Sequence, residues 1–461
     1  MSTPSFPHLV TPLPGPKSQA LVAQSEAAVT PSLPHAYPLA VKRAEGCMVE
    51  DLDDNRFLDC AAGIAVCSTG HCHPRVVQAI KDQSENLLHI CGADFYDPQY
   101  VNLASRLAKL APGRTAKKVF LGNSGTEAVE AAFKLARYHT GRSQVLSFFG
   151  SFHGRTMGSV SLTASKPVYH QGFGPLVSGI THLPYANCYR CPFNLKFPDC
   201  NFTCVSYIEE VVFSRSVPAN EVAAIFVEPV QGEGGYIVPP PGWINRLEAL
   251  CNRHGILLVA DEVQSGIGRT GKMFAIEHSV VEPDILCPAK ALASGLPLSA
   301  MIAKDHVMSW PAGSHGSTFG GNPVACAAAQ ATLDIVEEPG FLQQVTAVGE
   351  RLMGRLKDLA RTSRLIGDVR GLGLMIGVEL VRDKETKERA KAETEAVVQA
   401  CYQHGLLTLP CGPNSIRFSP PLILTHAEAD IAFEIFAEAL AEVEQKVFPT
   451  PVPVKSGYAM D

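Results

Sequence analysis

The chain has no apolar run long enough to span a bilayer, which argues against a transmembrane protein. It also has no long run of lysine or arginine, and its formal net charge is −6 with a pI near 6.2. Such a chain lacks the basic segment that would bind nucleic acid or an anionic membrane. We therefore expect its partners to be small molecules, with no nucleic acid and no membrane among them.

The start of the sequence does not resemble a secretory signal peptide. The first eighteen residues contain five prolines and no charged segment followed by an apolar core, which is unlike a secretory signal peptide. Fourteen cysteines are scattered through 461 residues, without the density of a small disulfide-stabilised domain. The sequence therefore predicts a cytoplasmic protein with reduced thiols.

Apolar residues, by contrast, make up 46% of the chain, enough for a large core, which we expect to divide into two lobes. Six short apolar runs alternate with helical patterns, and this order predicts an α/β fold with a mostly parallel sheet covered on both faces. Ligands of such sheets bind beyond the carboxyl ends of the strands. The runs are 118–121, 144–148, 223–227, 256–260, 284–287 and 299–303.

Residues that suit one anionic, aromatic, aldehyde-bearing ligand follow five of these runs. The segment 122–126 starts a helical pattern, and the free N–H groups of a helix start suit a phosphate. The same residues are also explained by simple helix capping through Ser124 or Thr126. After the second run, Phe152 could stack on a ring and Arg155 could bind a carboxylate, unless both belong to a surface turn.

The remaining groups are a glycine-rich loop at 228–235 with two carboxylates, Asp261 after the fourth run, and Lys290 after the fifth. Pyridoxal phosphate needs an amine that holds it as a Schiff base and an anion at its pyridine nitrogen. Lys290 and Asp261 supply these two groups. Taken alone, a lysine after an apolar run is usually a solvated strand end.

Five segments resemble those of the class III pyridoxal-phosphate aminotransferases, in order and at similar spacing, within a match that runs from about residue 40 to about residue 440. They are 123–132, 152–156, 228–235, 258–271 and 317–323. The resemblance implies fold type I, with a mainly parallel seven-stranded sheet in a large domain and a small α+β domain from both termini.

The predicted boundaries are 1–74 for the N-terminal arm and part of the small domain, 75–330 for the large domain, and 331–461 for the C-terminal part. The family is usually a homodimer with shared active sites.

The resemblance also assigns roles to residues of the cofactor site. Lys290 resembles the Schiff-base lysine, Asp261 the partner of the pyridine nitrogen, and Gln264 the group near the phenolic oxygen. Thr318 would reach the phosphate of the neighbouring subunit. The other residues that the resemblance places at the cofactor are Ser124, Gly125, Thr126, Phe152, His153 and Val263.

Within the family, the nearest pattern is that of the 4-aminobutyrate aminotransferases, whose N-terminal motif the segments 59–66 and 70–74 resemble. This likeness implies transamination of an ω-amino acid, above all 4-aminobutyrate, with 2-oxoglutarate as acceptor, giving glutamate and the semialdehyde. It places Arg155 at the distal carboxylate of the substrate and Arg417 at the α-carboxylate of 2-oxoglutarate. Glu233 would be the switchable partner of Arg417, unless the two form a stable interdomain salt bridge. The substrate set is Ile64, Arg155, Glu228, Glu233 and Arg417.

Several alternatives stay open. Phe152 matches ornithine and acetylornithine aminotransferases equally well, and an amino-acid racemase needs the same Lys290 and Asp261. A non-catalytic protein that senses metal or redox state is the alternative from another class.

An insert at 188–204 contains four of the fourteen cysteines: Cys188, Cys191, Cys200 and Cys204. Four thiolates could bind zinc or an iron–sulfur cluster, although the spacing of the second pair is not that of a standard zinc finger. The alternative is a cysteine-rich loop, with or without a disulfide. A similar insert occurs in a branch of the family that includes broad-specificity aminotransferases and racemases.

Overall fold

The computed structural model describes residues 6–449, so residues 1–5 and 450–461 of the predicted small domain lie outside the described residues. The strands are β1 (Val41–Glu45), β2 (Met48–Asp51), β3 (Arg56–Asp59), β4 (Lys117–Gly122), β5 (Gln144–Phe148), β6 (Ile180–Leu183), β7 (Val222–Val227), β8 (Leu257–Glu262), β9 (Ile285–Pro288), β10 (Ser299–Lys304), β11 (Ile366–Leu372), β12 (Met375–Asp383), β13 (Glu388–Arg389), β14 (Leu406–Leu407), β15 (Leu409–Cys411) and β16 (Ser415–Phe418). The α-helices are α1 (Pro16–Ala28), α2 (Ala62–Ala65), α3 (Pro74–Asn86), α4 (Pro98–Leu110), α5 (Gly125–Thr140), α6 (Met157–Leu162), α7 (Thr203–Tyr207), α8 (Trp243–His254), α9 (Pro323–Val336), α10 (Phe341–Thr362), α11 (Lys391–Gln403) and α12 (His426–Val447).

The largest sheet has seven strands in the order β4-β10-β9-β8-β7-β5-β6. Neighbours from β9 to β6 are parallel, and only β10 runs antiparallel to both of its neighbours. The predicted α/β class with a mainly parallel seven-stranded sheet is therefore confirmed. Six of its strands coincide with the six apolar runs, whereas β6 was missed. This strand, Ile-Thr-His-Leu, pairs only with β5 at the sheet edge and is mostly half-buried, so it has no continuous apolar pattern.

The two middle strands of the sheet are buried on both faces. Every residue of β7 and β8 is buried, and alternate side chains join different cores. Ile225 and Leu258 pack with residues of α8 and α9, whereas Phe226 and Val259 pack with residues of α5. Helices thus cover both faces of the sheet, as continuous apolar strands require.

A second core unites the two ends of the chain. Met48 and Leu58 from the N-terminal strands pack with residues of α10, α11 and α12. Strand β3 pairs in parallel with β14, which extends the sheet β1-β2-β3 to a fourth strand. A further sheet has the order β11-β12-β16-β15, with β13 on β12. This α+β region built from both termini agrees with the predicted fold class, and the residue boundaries at 74/75 and 330/331 stay proposals.

No helix in the part of the chain that the structure describes is long and apolar enough to cross a membrane.

Helix α10 packs tightly against the turn before β12 at one glycine. A Cβ on Gly349 would overlap the backbone carbonyl oxygen of Gly373, whereas a Cβ on the exposed Gly354 of the same helix would meet nothing within 4 Å. We expect Gly349→Ala to lower the free energy of unfolding by about 1–3 kcal/mol, because the helix must shift. Gly354→Ala should raise it by about 0.5–1 kcal/mol through helix propensity. Urea unfolding of both variants measures the difference, and equal effects would contradict the close packing at Gly349.

Candidate active site

The loops that follow β4, β5, β7, β8 and β9 carry the groups that the sequence singles out. The strands of this sheet, except β10, point the same way, so their carboxyl ends lie along one edge. Residues from distant parts of the chain are brought together there.

Asp261 lies near the end of β8 and is only 3% exposed. Its Oδ2 lies 2.6 Å from Nδ1 of His153, and its Oδ1 accepts a hydrogen bond from the backbone N–H of Val263 at 3.0 Å. Burial by itself would lower the pKa of His153, but the hydrogen bond and the negative charge of Asp261 outweigh it and raise that pKa. The Nε2 atom of His153 is buried and has no hydrogen-bond partner among the described residues. The carboxylate is therefore held in place and is available to a cationic ring nitrogen.

Lys290 lies two residues after the end of β9 and has a φ of 25°, a strained value for a residue other than glycine. Its side chain is half-buried. Burial, and next the positive charge of Arg417, lower the pKa of Lys290 to about 8. The lowered pKa increases the fraction of neutral amine at a given pH, and the neutral amine is the form that acts as a nucleophile.

The start of α5 has a capping motif and also approaches Val263 closely. Ser124 is the N-cap, and its backbone N–H donates to the carboxylate of Glu127 at 3.2 Å in a capping box. Gly125 is required by a close approach, because a Cβ there would lie 2.7 Å from Cγ1 of Val263. The hydroxyl of Thr126 lies 2.7 Å from that of Thr156. The glycine thus leaves the helix start open toward Val263, the residue that the resemblance places on the cofactor ring.

Glu228 follows β7 and ties two loops of the site together. Its carboxylate accepts hydrogen bonds from the backbone N–H of Phe152 at 3.1 Å and from that of Gly232 at 3.0 Å. Burial raises the pKa of Glu228 to about 7. The resemblance placed Glu228 in the substrate set, and the structure shows it bonded to backbone groups.

Gln264 accepts a hydrogen bond from the hydroxyl of Tyr236 at 2.8 Å, and Tyr236 is fully buried. The amide orientation of Gln264 is thereby defined by a residue of the 228–236 loop.

The two residues of the proposed switch lie close together. Arg417 in β16 is 6% exposed, and its Nη1 lies 3.8 Å from Oε2 of Glu233. The other oxygen of Glu233 lies 2.5 Å from Nζ of Lys166 and 3.4 Å from the hydroxyl of Tyr169. Sequence reasoning missed Lys166 and Tyr169, which lie outside the five motifs, and no local pattern indicates that they contact Glu233.

Three residues of the predicted site lie at the surface of the chain. The guanidinium of Arg155 stacks over the rings of Phe152 and Tyr169, at 5.5 and 5.4 Å from their centroids. Ile64 is 41% exposed, and Thr318 is also exposed. Their predicted contacts therefore depend on a bound substrate or a second subunit.

The hypothesis of a metal at the cysteine insert is not supported. Cys188, Cys191, Cys200 and Cys204 are free thiols that line one small pocket. Tetrahedral zinc with bonds of about 2.3 Å needs sulfur atoms about 3.8 Å apart, but within residues 6–449 no three of these sulfurs lie within 4.8 Å of one another. Burial also raises the pKa of Cys188, and it raises that of Cys204 to about 11, which disfavours thiolates.

A model of the family Aminotransferase class-III matches residues 30–440, which include every group described above. This chain belongs to the class III aminotransferase family. It is 41% identical to a 4-aminobutyrate aminotransferase of Mycobacterium bovis over 94% of this chain and 98% of the relative. It is 39% identical to an alanine/serine racemase of Pyrococcus horikoshii over 96% of this chain and 95% of the relative.

A solved structure shares the fold of this aminotransferase. It is an amine transaminase from an uncultivated Pseudomonas species with PLP bound, matched with a TM-score of 0.83 and 35% identity over 90% of this chain and 98% of the other. Family membership implies pyridoxal 5′-phosphate (PLP) as the cofactor and small amino acids and 2-oxo acids as substrates.

The residues present fit PLP. The buried carboxyl group of Asp261 is held by His153 and can face a protonated ring nitrogen, and the amine of Lys290 has a lowered pKa. The N-terminal end of α5, left open by Gly125, suits the phosphate.

We expect Lys290→Ala to prevent covalent attachment of PLP and to abolish turnover, because the variant lacks the only group proposed to bond the aldehyde. Borohydride treatment of the PLP-loaded protein, followed by mass spectrometry of the peptide that contains residue 290, measures the attachment. Lys118→Ala is the control, since Lys118 is exposed and forms a surface ion pair with Asp305. Turnover or covalent label retained in Lys290→Ala would refute the assignment.

Proposed function

We propose that this aminotransferase transfers the amino group of 4-aminobutyrate, or of a closely related ω-amino acid, to 2-oxoglutarate. The products are glutamate and the corresponding semialdehyde. The observation that carries the proposal is the buried Arg417 beside Glu233, because this pair can bind or leave out a second carboxylate. The 41% identity to a 4-aminobutyrate aminotransferase supports the same substrate.

When bound, PLP supplies an electrophilic aldehyde and a ring that withdraws electrons from the substrate carbon. Asp261 would stabilise the positive charge of the ring nitrogen, and His153 would maintain Asp261 in that orientation. Lys290 would hold the aldehyde of PLP and would also act as general base and acid toward the substrate. Its amine would take the proton from the substrate carbon and deliver it to the former aldehyde carbon.

Arg417 and Glu233 would allow one site to accept two substrates that differ by one carboxylate. 2-Oxoglutarate brings an α-carboxylate that a guanidinium can bind through two hydrogen bonds, whereas 4-aminobutyrate has no group there. With the shorter substrate bound, Glu233 can neutralise Arg417, which avoids an isolated buried charge. With 2-oxoglutarate bound, Glu233 must give way.

Arg155 is the proposed partner of the carboxylate that both substrates share. Its guanidinium lies over two aromatic rings, those of Phe152 and Tyr169, and is exposed in the single chain. A cation in this position can bind a carboxylate while the rings restrict its orientation.

Racemisation of an α-amino acid is the second candidate, favoured by the 39% identity to an alanine/serine racemase across nearly the whole chain. It would use the same Lys290 and Asp261, but the proton would return to the α-carbon of the substrate. Family membership supports an aminotransferase over the non-catalytic sensor.

Separate half-reactions distinguish the two candidates. With PLP-loaded protein, 4-aminobutyrate alone should bleach the yellow absorbance stoichiometrically, and added 2-oxoglutarate should restore it and form glutamate. Chiral chromatography of L-alanine, L-serine and L-leucine incubated with the protein measures racemisation. No bleaching with 4-aminobutyrate, together with formation of a D-amino acid without any 2-oxo acid, would reject the proposed function in favour of a racemase.

We also propose a homodimer with shared active sites, in the cytoplasm. Large apolar side chains are exposed on the segment between α3 and α4 and on the loop before α9, and the ring of His89 lies 5.1 Å from that of Phe319. The exposed residues are Leu88, Phe95, Tyr96 and Phe319, with Tyr96 98% exposed. An apolar patch of this kind indicates a protein interface. Thr318 adjoins Phe319 in this patch, consistent with a role at the phosphate of the neighbouring subunit.

We expect Phe95→Asp to convert the dimer to a monomer of 49.4 kDa and to weaken PLP retention, because a buried interfacial charge is costly. Val280→Asp is the matched control, since Val280 is 91% exposed outside this patch. Light scattering after gel filtration measures both masses. A wild-type monomer that retains activity would contradict the shared sites.

A further inference from the structure

Glu233 contacts two cations, and the nearer one is not Arg417. Its Oε1 lies 2.5 Å from Nζ of Lys166, a hydrogen-bonded ion pair, whereas its Oε2 lies 3.8 Å from Nη1 of Arg417, beyond hydrogen-bond distance. The hydroxyl of Tyr169 approaches Oε1 at 3.4 Å. Glu233 is therefore placed by the segment that follows α6 as much as by the strand that carries the arginine.

The guanidinium of Arg417 does not have all of its hydrogen-bond donors paired within the described residues. Its side chain is 7% exposed, its Nε is buried without a hydrogen-bond partner among the described residues, and its contact with Glu233 is not bidentate. A buried guanidinium in this state retains donors for an incoming carboxylate.

Lys166 is a charged partner of Glu233. Burial would by itself lower the pKa of Lys166, but the negative charge of Glu233 outweighs it and raises that pKa. The lysine therefore stays charged at neutral pH, and its side chain, 41% exposed, lies at the margin of the site. It competes with Arg417 for one carboxylate.

We propose that Lys166 is a positioning residue that determines substrate specificity. Its ion pair with Glu233 holds this carboxylate away from Arg417, so that Arg417 can bind the second carboxylate of a dicarboxylic substrate. This inference rests on the proposed function, because it takes Arg417 as the site of that carboxylate. Lys166 contacts neither the cofactor nor the substrate in this role, and acts through Glu233.

Without Lys166, the only cation within 4.0 Å of Glu233 in the described part of the chain is Arg417. Glu233 would then close on the guanidinium as a bidentate pair, since an unpaired carboxylate in this poorly solvated place is unfavourable. A dicarboxylate would have to break that pair, whereas a monocarboxylate bound at Arg155 would not.

Glutarate and valerate are a matched pair of probes, because both have five carbons and they differ by one carboxylate. Calorimetric titration of PLP-loaded wild type and Lys166→Met gives both dissociation constants without turnover. We expect the substitution to raise the dissociation constant of glutarate about tenfold and to leave that of valerate unchanged. In steady-state assays the same variant should raise KM for 2-oxoglutarate with little change in kcat.

Two further variants separate positioning from loss of structure or of net charge. Lys166→Arg should restore glutarate binding, and so should Lys166→Met combined with Glu233→Gln, which has no carboxylate left to occupy Arg417. The inference is overturned if Lys166→Met binds glutarate like the wild type, if both probes weaken equally, if the double variant stays weak, or if the wild type does not bind glutarate.

The same titrations remain informative if the proposed substrate is wrong. A wild type that fails to react with 4-aminobutyrate refutes the proposed function, whereas the ratio of glutarate to valerate affinity across the variants reports on Lys166 alone.

Discussion

Burial of the carboxylate of Asp261 is the constraint on which the rest of the site depends. A charge that is 3% exposed at the end of a strand buried throughout is unfavourable unless hydrogen bonds and an opposite charge compensate it. Two hydrogen bonds do so, one from the backbone of Val263 and one with His153. Because His153 belongs to the loop after β5, this requirement also positions Phe152 and Arg155, which flank it in sequence.

Charged groups from the two parts of the fold also lie close enough to affect one another. Arg417 belongs to β16, in the sheet that adjoins the second core, yet it contributes to the lowered pKa of Lys290, which follows β9 in the large sheet. The carboxylate of Glu233 reaches toward Arg417 from the loop after β7. After burial, the packing of the C-terminal strands on the large sheet therefore contributes to the lowered pKa of Lys290.

Six strands of the large sheet were predictable from continuous apolar runs, which are typical of strands buried on both faces, as β7 and β8 are. The edge strand β6 was not, because two of its four residues are polar and it therefore has no continuous apolar run. The cysteine insert shows the opposite failure. Four cysteines within seventeen residues suggested a metal, but sequence spacing does not establish that sulfur atoms converge. The four cysteines line one pocket as free thiols, and within residues 6–449 no three of their sulfurs lie within 4.8 Å of one another. Glu228, which the resemblance places at the substrate, also bonds the backbones of two loops, and sequence alone did not predict these contacts.

The sequence by itself determined which chemical groups follow which strands: a lysine after β9, an aspartate at the end of β8, and a glycine at the start of α5. These groups are encoded locally, because apolar runs define strands and the carboxyl ends of parallel strands share one edge. Only the tertiary structure decided the partners of those groups. His153 and Asp261 are 108 residues apart, and Lys166 and Glu233 are 67 apart. Such contacts depend on strand order and on the paths of the loops, and the pattern within any single segment contains no information about either.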